Sequence, residues 1–344
     1  MNTSARLKPR PRALVIGSGF GGLAAAVRLG ARGYRVTVLE ALDQPGGRAR
    51  VFRQDGFVFD AGPTIVTAPF LFEELWALCG RRLADDVTLR PVDPFYRIRY
   101  DDGSHLDCWA DDETMAAEIA RLSPRDVAGY RRFLDASGEL YRVGFEALAH
   151  KPFGRVADMV RALPQLARLR CDRSVYRLAD RCFNDPRLKM AFSLHPLLVG
   201  GNPFATTAVY GLIACLERRH GVHFAMGGTG ALVHGLVDLI DGQGGEVRCR
   251  APVAAIRTRD GRAVGVTLED GTRLDADVVV SNADPAWTYR HLLPDVARRR
   301  WTDRRLERAR YSMSLFVWYF GTRRRFGYVV RVGRKDGELL TDAL

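Results

Sequence analysis

The sequence predicts an α/β fold, and its N-terminal part carries the main evidence. An apolar run at residues 13–16 precedes a glycine-rich turn, and an alanine-rich stretch at 23–29 follows it. A second apolar run at 34–39 ends at Glu40. A strand, a glycine-rich turn, a helix and a second strand in this order predict a Rossmann-like βαβ unit. The turn consists of Gly17, Ser18, Gly19, Phe20, Gly21 and Gly22.

Each part of this motif has a physical function in binding a dinucleotide. Gly17 permits the tight turn, Gly19 lets the backbone approach a pyrophosphate, and Gly22 lets helix and strand pack closely. The helix N-terminus offers free N–H groups and a positive dipole end to phosphates. Glu40 would accept hydrogen bonds from ribose hydroxyls and would repel a 2′-phosphate, which argues against NADP. A glycine-rich turn without a ligand is the alternative.

The predicted elements divide the chain into two domains. A glycine-rich turn at 227–230, a helix ending near 241 and strands at 246–249, 253–258, 263–268 and 277–281 resume the pattern of the N-terminal part. Between them lie a hairpin at 92–109 and helical stretches at 112–150 and 154–200. We predict a discontinuous dinucleotide-binding domain at 13–90 and 222–285 and a basic leader at 1–12. A helical, mixed α+β domain would comprise 91–221 and 286–344.

The charge balance favours an anionic surface as partner. The net charge is +12, which suits nucleic acid or lipid headgroups, and a coding bias toward arginine is the alternative explanation. No nucleic-acid-binding motif accompanies the charge, which argues against nucleic acid. Arginines alternate with apolar residues across 154–200. This pattern fits either amphipathic helices with solvated arginines or a surface that lies on lipid headgroups.

Cysteine and histidine usage predicts neither a metal site nor disulfides. The six cysteines are scattered without a C-x-x-C pair, and the seven histidines show no ligand spacing. Such usage is typical of a reduced, cytoplasmic protein. No stretch reaches the roughly 18 consecutive apolar residues that a membrane-spanning helix needs.

Further motifs give the chain a family resemblance. QPGGR at 44–48, which follows Glu40, resembles the FAD-binding entry of amine-oxidase and desaturase flavoproteins. Five later motifs are similar to the bacterial phytoene desaturase family of carotenoid synthesis, and the resemblance covers residues 12–320. These motifs are FVFDAGPT at 57–64, PFYR at 94–97, LLVGGNPF at 197–204, GGTGAL at 227–232 and SNAD at 281–284.

The resemblance implies FAD as cofactor and assigns residues to it. Glu40 would hold the adenosine ribose, and residues 17–22 would hold the pyrophosphate. Gly47 and Arg48 would lie near the pyrophosphate and the isoalloxazine ring. Val253 would match the residue whose backbone reads adenine, although an ordinary core valine is the alternative.

The resemblance also implies a reaction and a location. The reaction would be desaturation of phytoene by hydride transfer to the flavin, in an apolar tunnel that excludes water. The protein would be cytoplasmic and peripheral to the inner face of the cell membrane, with no prediction of its oligomeric state. The alternatives are a related flavin oxidoreductase acting on another polyene or an amine, and an inactive remnant.

Two groups are candidates for acid–base chemistry. Asp158 and Arg161 lie three residues apart on one predicted helix, so their side chains can meet. In the family pattern this pair falls near the substrate channel and would handle a proton, whereas a surface ion pair is the alternative. His195 lies in an apolar run and is either a buried structural histidine or a catalyst.

The C-terminal part departs from the family pattern. Family members are longer and end in a glycine- and proline-rich segment that contacts the flavin. Nothing after residue 321 resembles that segment. We therefore expect a C-terminally truncated chain in which the last layer of the flavin site is missing.

Overall fold

A computed structural model describes residues 9–294, 300–313, 316–319, 330–331, 333–335 and 338–340. The chain forms two compact units. Unit 1 contains Met1–Arg90 and Phe224–Arg310, and unit 2 contains Pro91–His223 and Tyr311–Leu344. Unit 1 thus continues well past residue 285, where the sequence placed the end of the dinucleotide-binding domain.

The strands and helices have the following bounds. The strands are β1 (Arg12–Ile16), β2 (Arg35–Leu39), β3 (Val51–Gln54), β4 (Phe57–Asp60), β5 (Leu89–Pro91), β6 (Tyr96–Arg99), β7 (His105–Cys108), β8 (His223–Ala225), β9 (Glu246–Arg248), β10 (Val253–Arg259), β11 (Arg262–Leu268), β12 (Arg273–Asp275), β13 (Val278–Ser281), β14 (Val330–Arg331), β15 (Gly333–Lys335) and β16 (Glu338–Leu340). The α-helices are α1 (Phe20–Ala31), α2 (Pro69–Ala77), α3 (Leu83–Asp86), α4 (Asp112–Leu122), α5 (Val127–Leu140), α6 (Val156–Arg168), α7 (Val175–Cys182), α8 (Pro186–Ala191), α9 (Leu212–His220), α10 (Thr229–Gly242), α11 (Pro285–Trp287) and α12 (Asp303–Glu307).

A four-stranded parallel sheet forms the centre of unit 1, in the order β13-β1-β2-β9. Helix α1 connects β1 to β2, and Gly33 at φ +88° lets the chain turn back after the helix. Val15, Val38, Leu23 and Trp76 are buried in one cluster with the inward face of α10. Since parallel strands share a carboxyl edge, the ends of β1, β2 and β13 lie together at one edge of the sheet.

The structure corrects one predicted bound in unit 1 and adds a strand that was not predicted. The leader was expected to reach residue 12, but β1 begins at Arg12, and the Arg12 N–H donates to Asp277 at 2.8 Å. Residues 1–8 of the leader lie outside the described residues. The second sheet of unit 1 is antiparallel, in the order β10-β11-β12. Its third strand, β12, was not predicted from the sequence.

Helices dominate unit 2, and a buried carboxylate joins two of its loops. Asp126 accepts hydrogen bonds from the backbone N–H groups of Asn184 and Asp185, at 2.8 and 2.9 Å. Ser123 precedes Pro124, a pattern that predicts a helix N-cap, but its hydroxyl donates to Asp126 instead of to the helix backbone. Burial alone would raise the pKa of Asp126, but these hydrogen bonds outweigh burial and lower it. Elsewhere in unit 2, Phe133 packs against Phe192, with ring centroids 5.1 Å apart.

Asn202 followed by Pro203 is a sequence pattern that predicts a helix start, but the helix begins later. The Asn202 side chain accepts the N–H of Phe204 at 2.9 Å, residues 203–205 form a turn, and α9 begins only at Leu212 after a short 3-10 helix. Asn side chains offer the backbone this local alternative to a helix. Gly221, at φ +73°, ends α9. No helix in the described part of the chain has the length and apolar character needed to cross a bilayer.

Candidate functional site

The turn after β1 is built around glycines. Gly17 adopts φ +89°, and its N–H donates to the Leu39 carbonyl at 2.8 Å. A Cβ on Gly22 would lie 2.0 Å from the Gly17 oxygen, so only glycine fits there. Helix α1 begins directly after Gly19, and within the described chain no side chain caps its N-terminus. Its first N–H groups therefore remain available to an anion.

Glu40 lies buried at the end of β2, 6% exposed. Its Oε2 accepts both the backbone N–H (2.9 Å) and the hydroxyl of Ser18, and its Oε1 accepts the Leu42 N–H at 3.0 Å. A carboxylate has about four acceptor positions, so capacity remains for a ribose hydroxyl. The Ser18 side chain, assigned to the pyrophosphate by the family resemblance, thus contacts Glu40 directly.

A second glycine loop lies against the first. The Gly46 N–H donates to the Ser18 carbonyl at 3.0 Å, and Gly19 and Gly46 form a parallel bridge. A Cβ on Gly47, which has φ +55°, would lie 3.2 Å from the Gly19 Cα. We call residues 17–22 and 46–48 the glycine cradle. Arg48 is exposed at its rim, and no described residue pairs with its guanidinium.

Val253 is the first residue of β10, and backbone hydrogen bonds hold the segment before it beside the end of β2. The Ala251 N–H donates to the Glu40 carbonyl, and the Arg250 N–H donates to the Leu42 carbonyl, both at 2.8 Å. These bonds bring the segment that enters β10 to the Glu40 side of the cradle. Val253 is partly buried and pairs in register with Leu268. Its predicted contact with adenine stays a prediction.

The residue that the sequence analysis did not assign to the site is Asn282. It follows β13, and its N–H donates to the Ile16 carbonyl at 2.8 Å. Its side chain lies against Gly19 and Gly21. The only sequence indication was the SNAD motif, whose position beside β1 depends on strand pairing.

Asp158 and Arg161 lie on α6 in unit 2. The Asp158 Oδ2 accepts the backbone N–H of Arg155 at 3.1 Å, which ties the first turn of the helix. The Asp158 Oδ1 is 3.8 Å from Arg161 Nη1, and the Arg161 side chain is 81% exposed. The sequence therefore placed the two side chains together correctly, in the geometry of an exposed ion pair.

His195 belongs to a buried polar cluster in unit 2. Its Nε2 is 3.2 Å from Glu217 Oε2 and 3.5 Å from the hydroxyl of Tyr96, and its Nδ1 has no partner among the described residues. Burial raises the pKa of Tyr96 well above its ordinary value and that of Cys108 to about 12. The adjoining cavity is about 10 Å³, room for about one water. This enclosure favours the structural interpretation of His195.

The match to a protein-family model identifies the family of this chain. The model of flavin-containing amine oxidoreductases matches residues 20–343. The chain belongs to this family. Among solved structures, putrescine oxidase bound to putrescine gives a TM-score of 0.53 at 18% identity, covering 83% of this chain and 60% of its own. A fatty acid isomerase from P. acnes gives 0.54 at 16% identity, covering 84% and 62%. These structures share the fold, which confirms the predicted class.

Sequence relatives are more specific. The neurosporene-forming phytoene desaturase of Cereibacter sphaeroides is 50% identical over 312 residues, which are 91% of this chain and 60% of the relative. The lycopene-forming phytoene desaturase of a Paracoccus species is 48% identical over 311 residues, 90% of this chain and 62% of the relative. The resemblance to bacterial phytoene desaturases is thereby confirmed. The chain spans about 60% of the length of these relatives.

Membership of this flavoprotein family confirms FAD as the expected cofactor, and the residues of the cradle fit it. The N-terminus of α1, which has no side-chain cap among the described residues, offers free N–H groups to a pyrophosphate, and the glycines at 17, 19, 21 and 22 add no side chains to this turn. The buried carboxylate of Glu40 stands at the end of the neighbouring strand. All these residues lie in unit 1. Among the residues that the structure describes, no group of side chains could hold a metal ion.

Proposed function

We propose that this chain carries the FAD-binding part of a carotenoid desaturase whose substrate is phytoene. The observation that carries the proposal is the 50% identity, over 91% of the chain, to an enzyme named as a phytoene desaturase. The glycine cradle with its buried carboxylate supports the cofactor part of the proposal. In this assignment unit 1 binds FAD, and unit 2 serves the substrate and the membrane.

The residues of unit 1 would bind and orient the cofactor. Glu40 would hold the adenosine ribose through the acceptor capacity that Ser18 and Leu42 leave open. The N-terminus of α1 would face the pyrophosphate, and Arg48 would place a positive charge beside it. Val253 would present its backbone to adenine. When bound, FAD supplies an acceptor for a hydride from a carbon next to a double bond.

Desaturation also removes a proton from the carbon beside the one that loses hydride. We assign this proton to Asp158, with Arg161 stabilising the carboxylate. The two carboxylate oxygens of Asp158 have different partners, and this geometry supports the assignment. Oδ2 accepts the backbone N–H of Arg155, and Oδ1 is 3.8 Å from the guanidinium of Arg161. The exposed ion pair without a catalytic role is the competing explanation.

We further propose that unit 2 lies on the inner face of the cell membrane, because α6 exposes an apolar stripe. Val156, Met159, Val160 and Leu163 recur at helical spacing, and all four are exposed. Residues 151–181 contain eight arginines and lysines against three aspartates. An apolar stripe with basic flanks is typical of a helix in an anionic lipid interface.

The membrane part is tested by co-sedimentation with phosphatidylglycerol vesicles and with phosphatidylcholine vesicles. We expect binding to the anionic vesicles that weakens as salt is added. The triple variant M159S/V160S/L163S should bind about tenfold more weakly, because it removes apolar surface from the interface. Leu78→Ser, which changes an exposed leucine of unit 1, is the matched control. An equal loss in both variants would rule out α6 as the contact.

The catalytic part is tested with the purified chain loaded with FAD. We expect a flavin absorbance spectrum and, with phytoene supplied in liposomes, conjugated polyenes that chromatography resolves by their number of double bonds. A folded chain that takes up no FAD would overturn the proposal. If the chain takes up FAD and turns over an amine but not phytoene, the substrate assignment is wrong and the cofactor assignment stands.

A further inference from the structure

We propose that Asn282 is a pyrophosphate-binding residue of the FAD site, with its side-chain amide donating to the phosphates at the N-terminus of α1. The inference rests on the proposed function, since it needs FAD in the glycine cradle. It adds to that site a residue distant in sequence from residues 17–48.

Strand pairing fixes the backbone of Asn282. β13 runs parallel to β1 with Ser281 opposite Ile16, and the Asn282 N–H donates to the Ile16 carbonyl at 2.8 Å. Asn282 is therefore the first residue beyond its strand, at the carboxyl edge of the sheet. This is the edge at which open α/β sheets bind their ligands.

The first turn of α1 has space for the Asn282 amide. A Cβ on Gly21 would lie 2.5 Å from Asn282 Oδ1, and a Cβ on Gly22 would lie 3.2 Å from the Asn282 Cβ. Gly21 does not have a positive φ, so its backbone conformation gives no reason for glycine at this position. The contact with Asn282 provides a reason for glycine, because any larger side chain at position 21 would displace the Asn282 amide.

The orientation of the amide suits an anion. Asn282 Nδ2, the donor end, would lie 3.1 Å from a Cβ on Gly19, the residue that precedes α1. Oδ1 lies on the Gly21 side. Asn282 is exposed, and its amide has no hydrogen-bond partner among the described residues. The amide can therefore donate to a phosphate oxygen without breaking an existing hydrogen bond.

The experiment measures the Kd for FAD of the full chain by flavin fluorescence titration, with thermal unfolding recorded for every variant. We expect Asn282→Ala to raise Kd about tenfold, the effect of losing one hydrogen bond to a charged group. Asn282→Asp should raise Kd further, because it keeps the shape and adds a negative charge beside the phosphates. Asn202→Ala, which changes an asparagine of unit 2, should leave Kd unchanged.

A double-mutant cycle tests the contact itself. Gly21→Ala should raise Kd, because its methyl group displaces the amide, whereas G21A/N282A should bind no more weakly than N282A alone. Strictly additive losses would show that the two residues do not meet and would overturn the inference. Wild-type Kd in both N282A and N282D would overturn it while leaving the proposed function intact. If N282D does not fold, Asn282→Ser replaces it, and this variant should raise the Kd for FAD about as much as N282A does. A folded wild-type chain without FAD affinity would overturn both proposals.

Discussion

The glycine cradle in unit 1 and helix α6 in unit 2 carry the two parts of the proposed chemistry, and they are held in different ways. In the cradle, backbone atoms approach so closely that a Cβ on Gly22 would lie 2.0 Å from a carbonyl oxygen. On α6, Asp158 and Arg161 are 3.8 Å apart at an exposed surface. Substitutions in the cradle should therefore change folding and binding together, whereas substitutions on α6 should leave folding almost unchanged.

The largest effect is expected for Gly22→Ala. The added methyl group forces the turn and α1 apart, so we expect a loss of about 3 kcal/mol in the free energy of unfolding and of measurable FAD binding. Urea unfolding and FAD titration check this. Gly138→Ala is the matched control: Gly138 lies within α5 with open space around its Cβ position, and alanine should stabilise that helix by about 0.5–1 kcal/mol. A stable, FAD-binding G22A would contradict the close packing.

The next largest effect is expected in unit 2, at the buried carboxylate of Asp126, which accepts hydrogen bonds from the backbone of another loop. Asp126→Asn keeps the shape but replaces one of the two acceptor oxygens by an NH₂ group that faces a backbone N–H donor, so we expect a loss of about 2–3 kcal/mol at pH 7. The pKa of Asp126 is lowered on folding. Its contribution to stability is therefore present above the unfolded pKa of about 3.9 and is lost as pH falls through the folded value.

Urea unfolding of wild type and D126N between pH 7 and pH 2.5 checks this prediction. The difference between the two proteins should shrink toward the acid end, because the wild-type carboxyl becomes protonated there. Asp180→Asn, in an exposed pair with Lys189, is a control that should change stability little at any pH. A difference that is independent of pH would mean that the charge of Asp126 does not stabilise the loops.

The sequence predicted the cradle more fully than the rest of unit 1 because glycine patterns follow from backbone geometry alone. Gly17, Gly22 and Glu40 lie where the spacing placed them. Asn282 could not be assigned, because its place beside Gly21 depends on β13 pairing with β1, more than 200 residues earlier in the chain. In unit 2 the Asn202-Pro203 pattern predicts a helix start, but α9 begins ten residues after Asn202, at Leu212. The side chain of Asn202 accepts the N–H of Phe204 and so stabilises a local turn instead.

A smaller effect, mainly on binding, is expected for Glu40→Gln. The glutamine must present an N–H₂ group to Ser18 or to the ribose, where Glu40 presents only acceptors. We expect the Kd for FAD to rise about tenfold, with the free energy of unfolding lowered by about 1 kcal/mol. Flavin fluorescence titration checks the affinity. Glu246→Gln, at the end strand of the same sheet, is the control, and an equal Kd for wild type and E40Q would exclude Glu40 as the ribose ligand.

The smallest change in stability is expected on α6, and it separates the two explanations of Asp158 and Arg161. Arg161→Ala should change the free energy of unfolding by less than about 0.5 kcal/mol, because the pair is exposed. Asp158→Asn can still accept the Arg155 N–H but cannot take up a proton. If Asp158 handles the proton, D158N should keep both stability and FAD affinity and lose about a hundredfold in phytoene desaturation. Unchanged turnover in D158N would leave the pair as part of the helix surface alone.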